Sequence, residues 1–364
     1  KVGYFLGGGA CILGPHQAAQ IVEVNKVFPP QIVAAQSVGG YNSLDLENAL
    51  LWWKKYFFSA SQIYEPHDDL KKVIALLRKM IPHRPRWTGY RNLREFIYDI
   101  NLQTRHSFQI LSFGILAIRT LLTILSAPQG GAPSLTQLFP PSALQEFITL
   151  IKAWKLNHLE SIFDLAPLFE NIRNHTDHKV ILNPPFNRLL LARHGDKLHI
   201  FARYPEESLS GRYPDRFHLI RTWEEHETAL RATSALQPFF ARPVIDGKIF
   251  NDPGTFNPFP VEYLFDAGCD TVFAFVKDYA VPPAENDILN RTLAQADFSL
   301  REWFTILRER AELRAEREGK KLHIITQQSP HPNAHLITIS PEVIEYAETV
   351  EKKAMEKFLK TLLN

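Results

Sequence analysis

The apolar positions of the chain come first as short unbroken runs and later at helical spacing, and that change of rhythm predicts the architecture. Val2 to Leu6 is an apolar run that ends in Gly7, Gly8 and Gly9. Gly14 and Pro15 then open a helix reaching about Val27, since proline is pre-set for a first helical turn. Phe28, Pro29 and Pro30 stop it. Ile32 to Ala35 is a second apolar run, and it breaks sharply at Ser37 before a further helix. A strand, a helix, a strand and a helix in that order predict a parallel sheet covered on both faces. From Leu46 to Tyr64 the chain reads as one amphipathic, aromatic-rich helix.

Residues 66–160 break this rhythm with helical patterns at Leu70 to Ile81, Leu93 to Leu102, Phe108 to Ser126 and Ala143 to Leu156, joined at Pro82, Pro85, Pro140 and Pro141. They are expected to form a helical insertion in a single α/β domain. Its most apolar stretch carries Arg119 and Gly114, which suits a cap helix or an interfacial lid better than a span. Basic residues just upstream, among them Lys71, Lys72, Arg78 and Lys79, suit a solvated face or contact with anionic head groups.

The α/β rhythm then resumes. Leu189 to Ala192 and Lys197 to Ala202 flank a glycine turn, and a helix ends near Pro238. A tight hairpin passes through Asp246-Gly247, followed by Asp252-Pro253-Gly254 and a short helix from Pro260. Strands are expected at Thr271 to Val276, Leu322 to Thr326 and Leu336 to Ile339. A charged helix covers Arg301 to Glu318, and an amphipathic one closes the chain from Pro341 to Leu363.

The chemistry concentrates at the break in the second strand. A nucleophile on a strand-to-helix elbow needs small residues two places before and after it, because the tight turn brings backbones together. Ala35 and Gly39 stand in those places around Ser37, although a buried serine beside a loop fits the same pattern. The three glycines fail as a dinucleotide fingerprint, because Ile12 occupies the third glycine position. They remain open to two readings: a tight turn, or an oxyanion hole in which the amides of Gly8 and Gly9 face developing charge.

Composition excludes more than it selects. The chain has 364 residues, 22% of them charged, with a net charge of +2, so no global charge favours nucleic acid. Its two cysteines, Cys11 and Cys269, form neither a disulfide framework nor a metal pair. No cofactor and no metal is expected. Strand-like sequence begins directly after Lys1, which leaves room for a removed secretory leader, and a cytoplasmic or peripheral membrane location is the expectation otherwise.

Four separated pieces, taken in order, resemble the patatin-like phospholipases. They are Gly7-Gly8-Gly9, the elbow Ala35-Gln36-Ser37-Val38-Gly39, the helix end Ala232-Thr233-Ser234-Ala235 with Pro238 following, and the hairpin leading into Asp252-Pro253-Gly254 and Pro260-Val261. Ser161 to Leu168 is similar to the segment with which that family resumes after its elbow helix. The resemblance implies a three-layer α/β/α sandwich with a mainly parallel sheet, and a Ser-Asp dyad that hydrolyses acyl esters of lipids or phospholipids. It implies Ser37 as nucleophile, Asp252 as its acid, and Gly7, Gly8, Gly9 and Val38 as the oxyanion hole. Asp246 is the rival acid, but it stands where Asp-Gly is good turn chemistry. A triad would instead draw on His323, His331 or His335. The chain departs from the family pattern at Cys11, Ile12, Ala35 and Pro253. Those departures keep open a catalytically impaired lipid-binding or regulatory protein, or an acyltransferase.

Overall fold

The computed structural model describes residues 1–66, 161, 163–236, 239–277, 288–328 and 339–364, without the side chains of residues 10–12, 60, 66 and 288–299. The chain divides into two compact units, one of residues 1–63, 165–237 and 242–364, the other of 64–164 and 238–241. The expected helical insertion, its apolar stretch and its basic residues fall on 67–160 and lie outside the described residues. So do His331, His335 and most of the strand expected at Leu336 to Ile339. In the second unit Glu65–Pro66 pairs antiparallel with Phe163–Asp164, and the rings of Tyr64, Phe163 and Phe240 gather beside that ladder.

The first unit is a three-layer α/β/α sandwich. Among the described residues, seven strands form its sheet: β1 Val2–Leu6, β2 Ile32–Ala35, β3 Asn187–His194, β4 Lys197–Ala202, β5 Phe217–Leu219, β6 Thr271–Val276 and β7 Lys321–Thr326, in the order β7-β6-β1-β2-β3-β4-β5. The first five in that order run parallel; β4 turns back antiparallel to β3, and β5 follows β4. Strands covered on both faces need no polar alternation, which is why VGYFL, IVAA and TVFAFV are continuous apolar runs.

One face carries Phe5, Ile32, Ala34, Leu189 and Val272 against Leu264 and Phe265 of α6 (Glu262–Asp266) and Phe304, Leu307 and Ala311 of α7 (Ile288–Arg317). The other is covered by α1 (Ala10–Asn25) and α8 (Pro341–Leu363), where Phe273 meets Tyr4 and Phe358 edge-on. A buried carboxylate joins these two helices. Glu351 accepts from Gln20 Nε2 (2.8 Å) and from the Gln328 N–H (2.6 Å), and it lies 2.7 Å from His16 Nδ1. Three partners meet the requirement that a fully buried charge be hydrogen-bonded.

Several boundaries differ from expectation for local reasons. Helix α1 begins directly after Gly9, so Pro15 lies inside it and removes one bond from its second turn. The aromatic segment is not one helix. The Asp45 carboxylate takes the Asn48 N–H (3.1 Å) in a turn, which delays the start of α3 to Ala49–Lys55, and a separate 3₁₀ turn follows at Ala60–Gln62. After α4 (Ala166–His175), the helix expected to end near Pro238 is α5, Trp223–Thr233, capped at its start by Thr222 and Glu225 and finished at Ser234. The helix expected from Arg301 begins at Ile288 and stops where Gly319 takes φ 65°. Strand β5 has only three residues, FHL, too few to carry a period.

Candidate active site

In the parallel register Leu6 lies opposite both Ala35 and Phe275, so β1, β2 and β6 end together at the edge where open α/β sheets place their sites. The glycine loop leaves β1 there, and the elbow leaves β2 beside it. Ser37 has φ 53° and ψ −128°, a left-handed backbone that strains any residue with a side chain by about 1–3 kcal/mol. Two anchors hold it: the Ser37 N–H is shared between the carbonyl (3.1 Å) and the hydroxyl (3.0 Å) of Thr233.

Helix α2, Val38–Asn42, starts at once and tucks Gly39 under β1. A Cβ on Gly39 would stand 2.3 Å from the Leu6 carbonyl oxygen, so no larger residue fits without moving backbone. Gly39→Ala is therefore expected to lower stability by about 3 kcal/mol or more, readable as a fall in the denaturant midpoint. At the other small position, Ala35 is fully buried and in register with Leu6, and its methyl group is accommodated.

Asp252 arrives from the far side of the sequence on a short loop. Asn251 exchanges backbone bonds with Arg193 at the end of β3 (2.9 and 2.8 Å), and the Asp252 N–H reaches the carbonyl of Ala235 (3.2 Å). The end of α5 thus holds both chemical groups, Ser37 through Thr233 and Asp252 through Ala235. That is the local work of the segment Ala232-Thr233-Ser234-Ala235. Pro253 opens a 3₁₀ turn, and the Asp252 side chain accepts from the Gly254 N–H at 2.8 Å. Ser37 lies close enough to this carboxylate to act on its ionisation. Burial raises the Asp252 carboxyl to about 6, against the downward pull of Ser37 and of the Gly254 N–H.

The structure thus brings Ser37 and Asp252 together and leaves Asp246 apart. Asp246 is exposed at the hairpin turn with φ 50°, followed by Gly247 at φ 73°. His323 lies on β7, stacked on Phe273 and edge-on to Phe358. Gly8 packs directly on the serine: a Cβ there would be 3.1 Å from Ser37 Cβ. The Gly7 N–H is committed to the sheet through Phe275 O (2.9 Å). Among the described residues no protein acceptor takes the N–H of Gly8, Gly9 or Val38.

Three supporting side chains carried no motif in the sequence. Gln17, Asn42 and Trp53 are buried and linked to one another behind the glycine loop. Gln36 is buried next to Ser37 and donates to the Pro258 carbonyl (3.3 Å), tying the elbow to the loop that carries Asp252. Polar residues spaced among apolar ones along α1, Gln17 and Gln20 among them, were the available signal.

No family model and no curated protein matches the chain. Among solved structures it is similar to the crystal structure of VipD from Legionella pneumophila, at 11% identity and a TM-score of 0.35, over 99% of this chain and 67% of that one. Among the described residues no helix is long and apolar enough to cross a membrane, and no group of three or more His, Cys, Asp or Glu side chains could hold a metal ion.

Proposed function

We propose that the protein is a serine-dependent lipid acyl hydrolase of the phospholipase A or lysophospholipase type, working through Ser37 and Asp252. The observation that supports this reading is a serine on a strained elbow close to a buried aspartate, over two hundred positions later, whose carboxyl burial raises and the serine pulls down. A free serine hydroxyl is a weak nucleophile, and an adjacent carboxylate base activates it.

Ser37 Oγ attacks the ester carbonyl carbon while its proton passes to the Asp252 carboxylate. The carbonyl oxygen becomes an oxyanion, met by the N–H groups of Gly8, Gly9 and Val38, with Gly7 holding the loop to the sheet. Each such donor is worth about 3 kcal/mol of barrier. The intermediate collapses, the C–O bond to the leaving alcohol breaks, and Asp252 returns the proton to that alcohol. Water then attacks the acyl-serine ester, giving its proton to Asp252, and the carboxylic acid leaves with the proton back on Ser37. The substrate class follows the resemblance to patatin-like phospholipases. Contact with a lipid surface is assigned to residues 66–160.

An active-site-directed fluorophosphonate tests the reading. One equivalent is expected on Ser37, located by peptide mass analysis, with parallel loss of hydrolysis of an activated short-chain ester. A folded protein that takes up no label contradicts it and favours a lipid-binding role.

A further inference from the structure

A chain of three buried side chains runs behind the glycine loop, and each of its links has a forced direction. At one end Gln17 Nε2 lies 3.1 Å from Gly7 O and 3.1 Å from Phe275 O. Both are carbonyls that only accept, so the Gln17 amide must turn its NH₂ toward them. Its Oε1 then faces Asn42, whose Nδ2 donates to it at 2.9 Å and to Gly14 O at 3.0 Å. The Asn42 Oδ1 is left for the Trp53 indole N–H at 2.8 Å, a group that only donates. Trp53 reaches this position because position 14 is glycine, where a Cβ would lie 2.3 Å from the indole ring. The acceptors at one end and the indole at the other leave no alternative orientation for either amide.

The consequence falls on the loop. In a trans peptide the carbonyl of one residue and the N–H of the next point opposite ways across one plane. Fixing Gly7 O against Gln17 therefore fixes the Gly8 N–H away from Gln17, and Gly8 is the residue that packs on Ser37. Glycine peptides flip easily, since no Cβ opposes rotation. Among the described residues no other side chain holds the Gly7–Gly8 plane.

We propose that Gln17, oriented by Asn42 and Trp53, is a positioning residue that aims the Gly8 amide at the oxyanion formed on Ser37. This rests on the hydrolase reading above. It gives Gln17 a role in stabilising the transition state and none in binding the ester.

The test compares wild type with Gln17→Glu, which keeps the shape and the Asn42 bond but puts an acceptor against Gly7 O. Steady-state kinetics on an activated short-chain ester are paired with inhibition by an alkyl trifluoromethyl ketone, which forms an oxyanionic adduct with a nucleophilic serine. The expected result is a 30- to 100-fold fall in kcat with KM within threefold of wild type. The ketone should weaken by the same factor as kcat/KM. Trp53→Phe, which removes only the far donor, should give a smaller fall of three- to tenfold with the same proportionality. It also serves as the deciding variant if Gln17→Glu does not fold. A folded variant with wild-type kcat, or one whose loss lies in KM with ketone affinity unchanged, overturns the proposal. A wild type that neither turns over ester nor labels at Ser37 overturns the hydrolase reading and this proposal with it, whereas an active wild type with indifferent variants overturns only the role of Gln17.

Discussion

Ser37→Ala is expected to abolish ester hydrolysis, lowering kcat by on the order of 10⁴-fold or more, and to leave the protein folded. The loss is complete because the other hydroxyls around the elbow are unsuited to replace it. Burial pushes the Tyr41 phenol on α2 up, away from ionisation, and Thr233 Oγ1 already accepts the Ser37 N–H from the end of a different helix. The fold survives because alanine keeps the Cβ and the same backbone bonds to Thr233, so the strain of the turn is present in both proteins. One interaction disappears, the pull of the Ser37 hydroxyl that lowers the Asp252 carboxyl. Circular dichroism and a melting curve check the fold, and release of product from an activated ester checks the chemistry. Turnover retained within tenfold of wild type would remove Ser37 from the mechanism.

The elbow was legible in the sequence because its requirements are local. A buried apolar run, a small residue on each side and an immediate helix are consequences of one tight turn, and all of them fall between Ile32 and Asn42. Asp252 was legible only through an ordered resemblance, because what brings it to Ser37 is long-range. Its loop is hung from Arg193 and from Ala235, two points that no spacing rule connects. The parallel strands were readable as continuous apolar runs, whereas β5 was too short to show any pattern. Gln17, Asn42 and Trp53 stayed hidden for a related reason. Each looks ordinary alone, and only packing reveals that their donors and acceptors match. Gly7 presents the same difficulty within a motif: three consecutive glycines look equivalent, but the first gives its N–H to β6, whereas among the described residues nothing accepts from the other two.

Asp252→Asn is expected to be as inactive as the serine variant and, at neutral pH, more stable than the wild type. Activity needs the carboxylate as base, so hydrolysis by the wild type should rise through about pH 6 and level off above it, following the raised carboxyl. Stability should move the other way. In the unfolded chain this side chain ionises near its ordinary value of about 3.9, whereas in the folded protein it holds its proton to about 6. Between those values the folded state binds the extra proton, so raising the pH through the window removes stability, and the full penalty, on the order of 3 kcal/mol, is present above it. Asparagine carries no charge at any of these pH values and can still accept from the Gly254 N–H through its amide oxygen. The melting temperature of Asp252→Asn should therefore exceed that of the wild type at pH 7, and the gap should close as the pH falls toward 4. A side chain kept only for its place in the fold would give the opposite result, a variant less stable than wild type at pH 7. An increase in stability that appears with ionisation, together with lost turnover, is the signature of a charge buried at a cost to folding because the chemistry requires it.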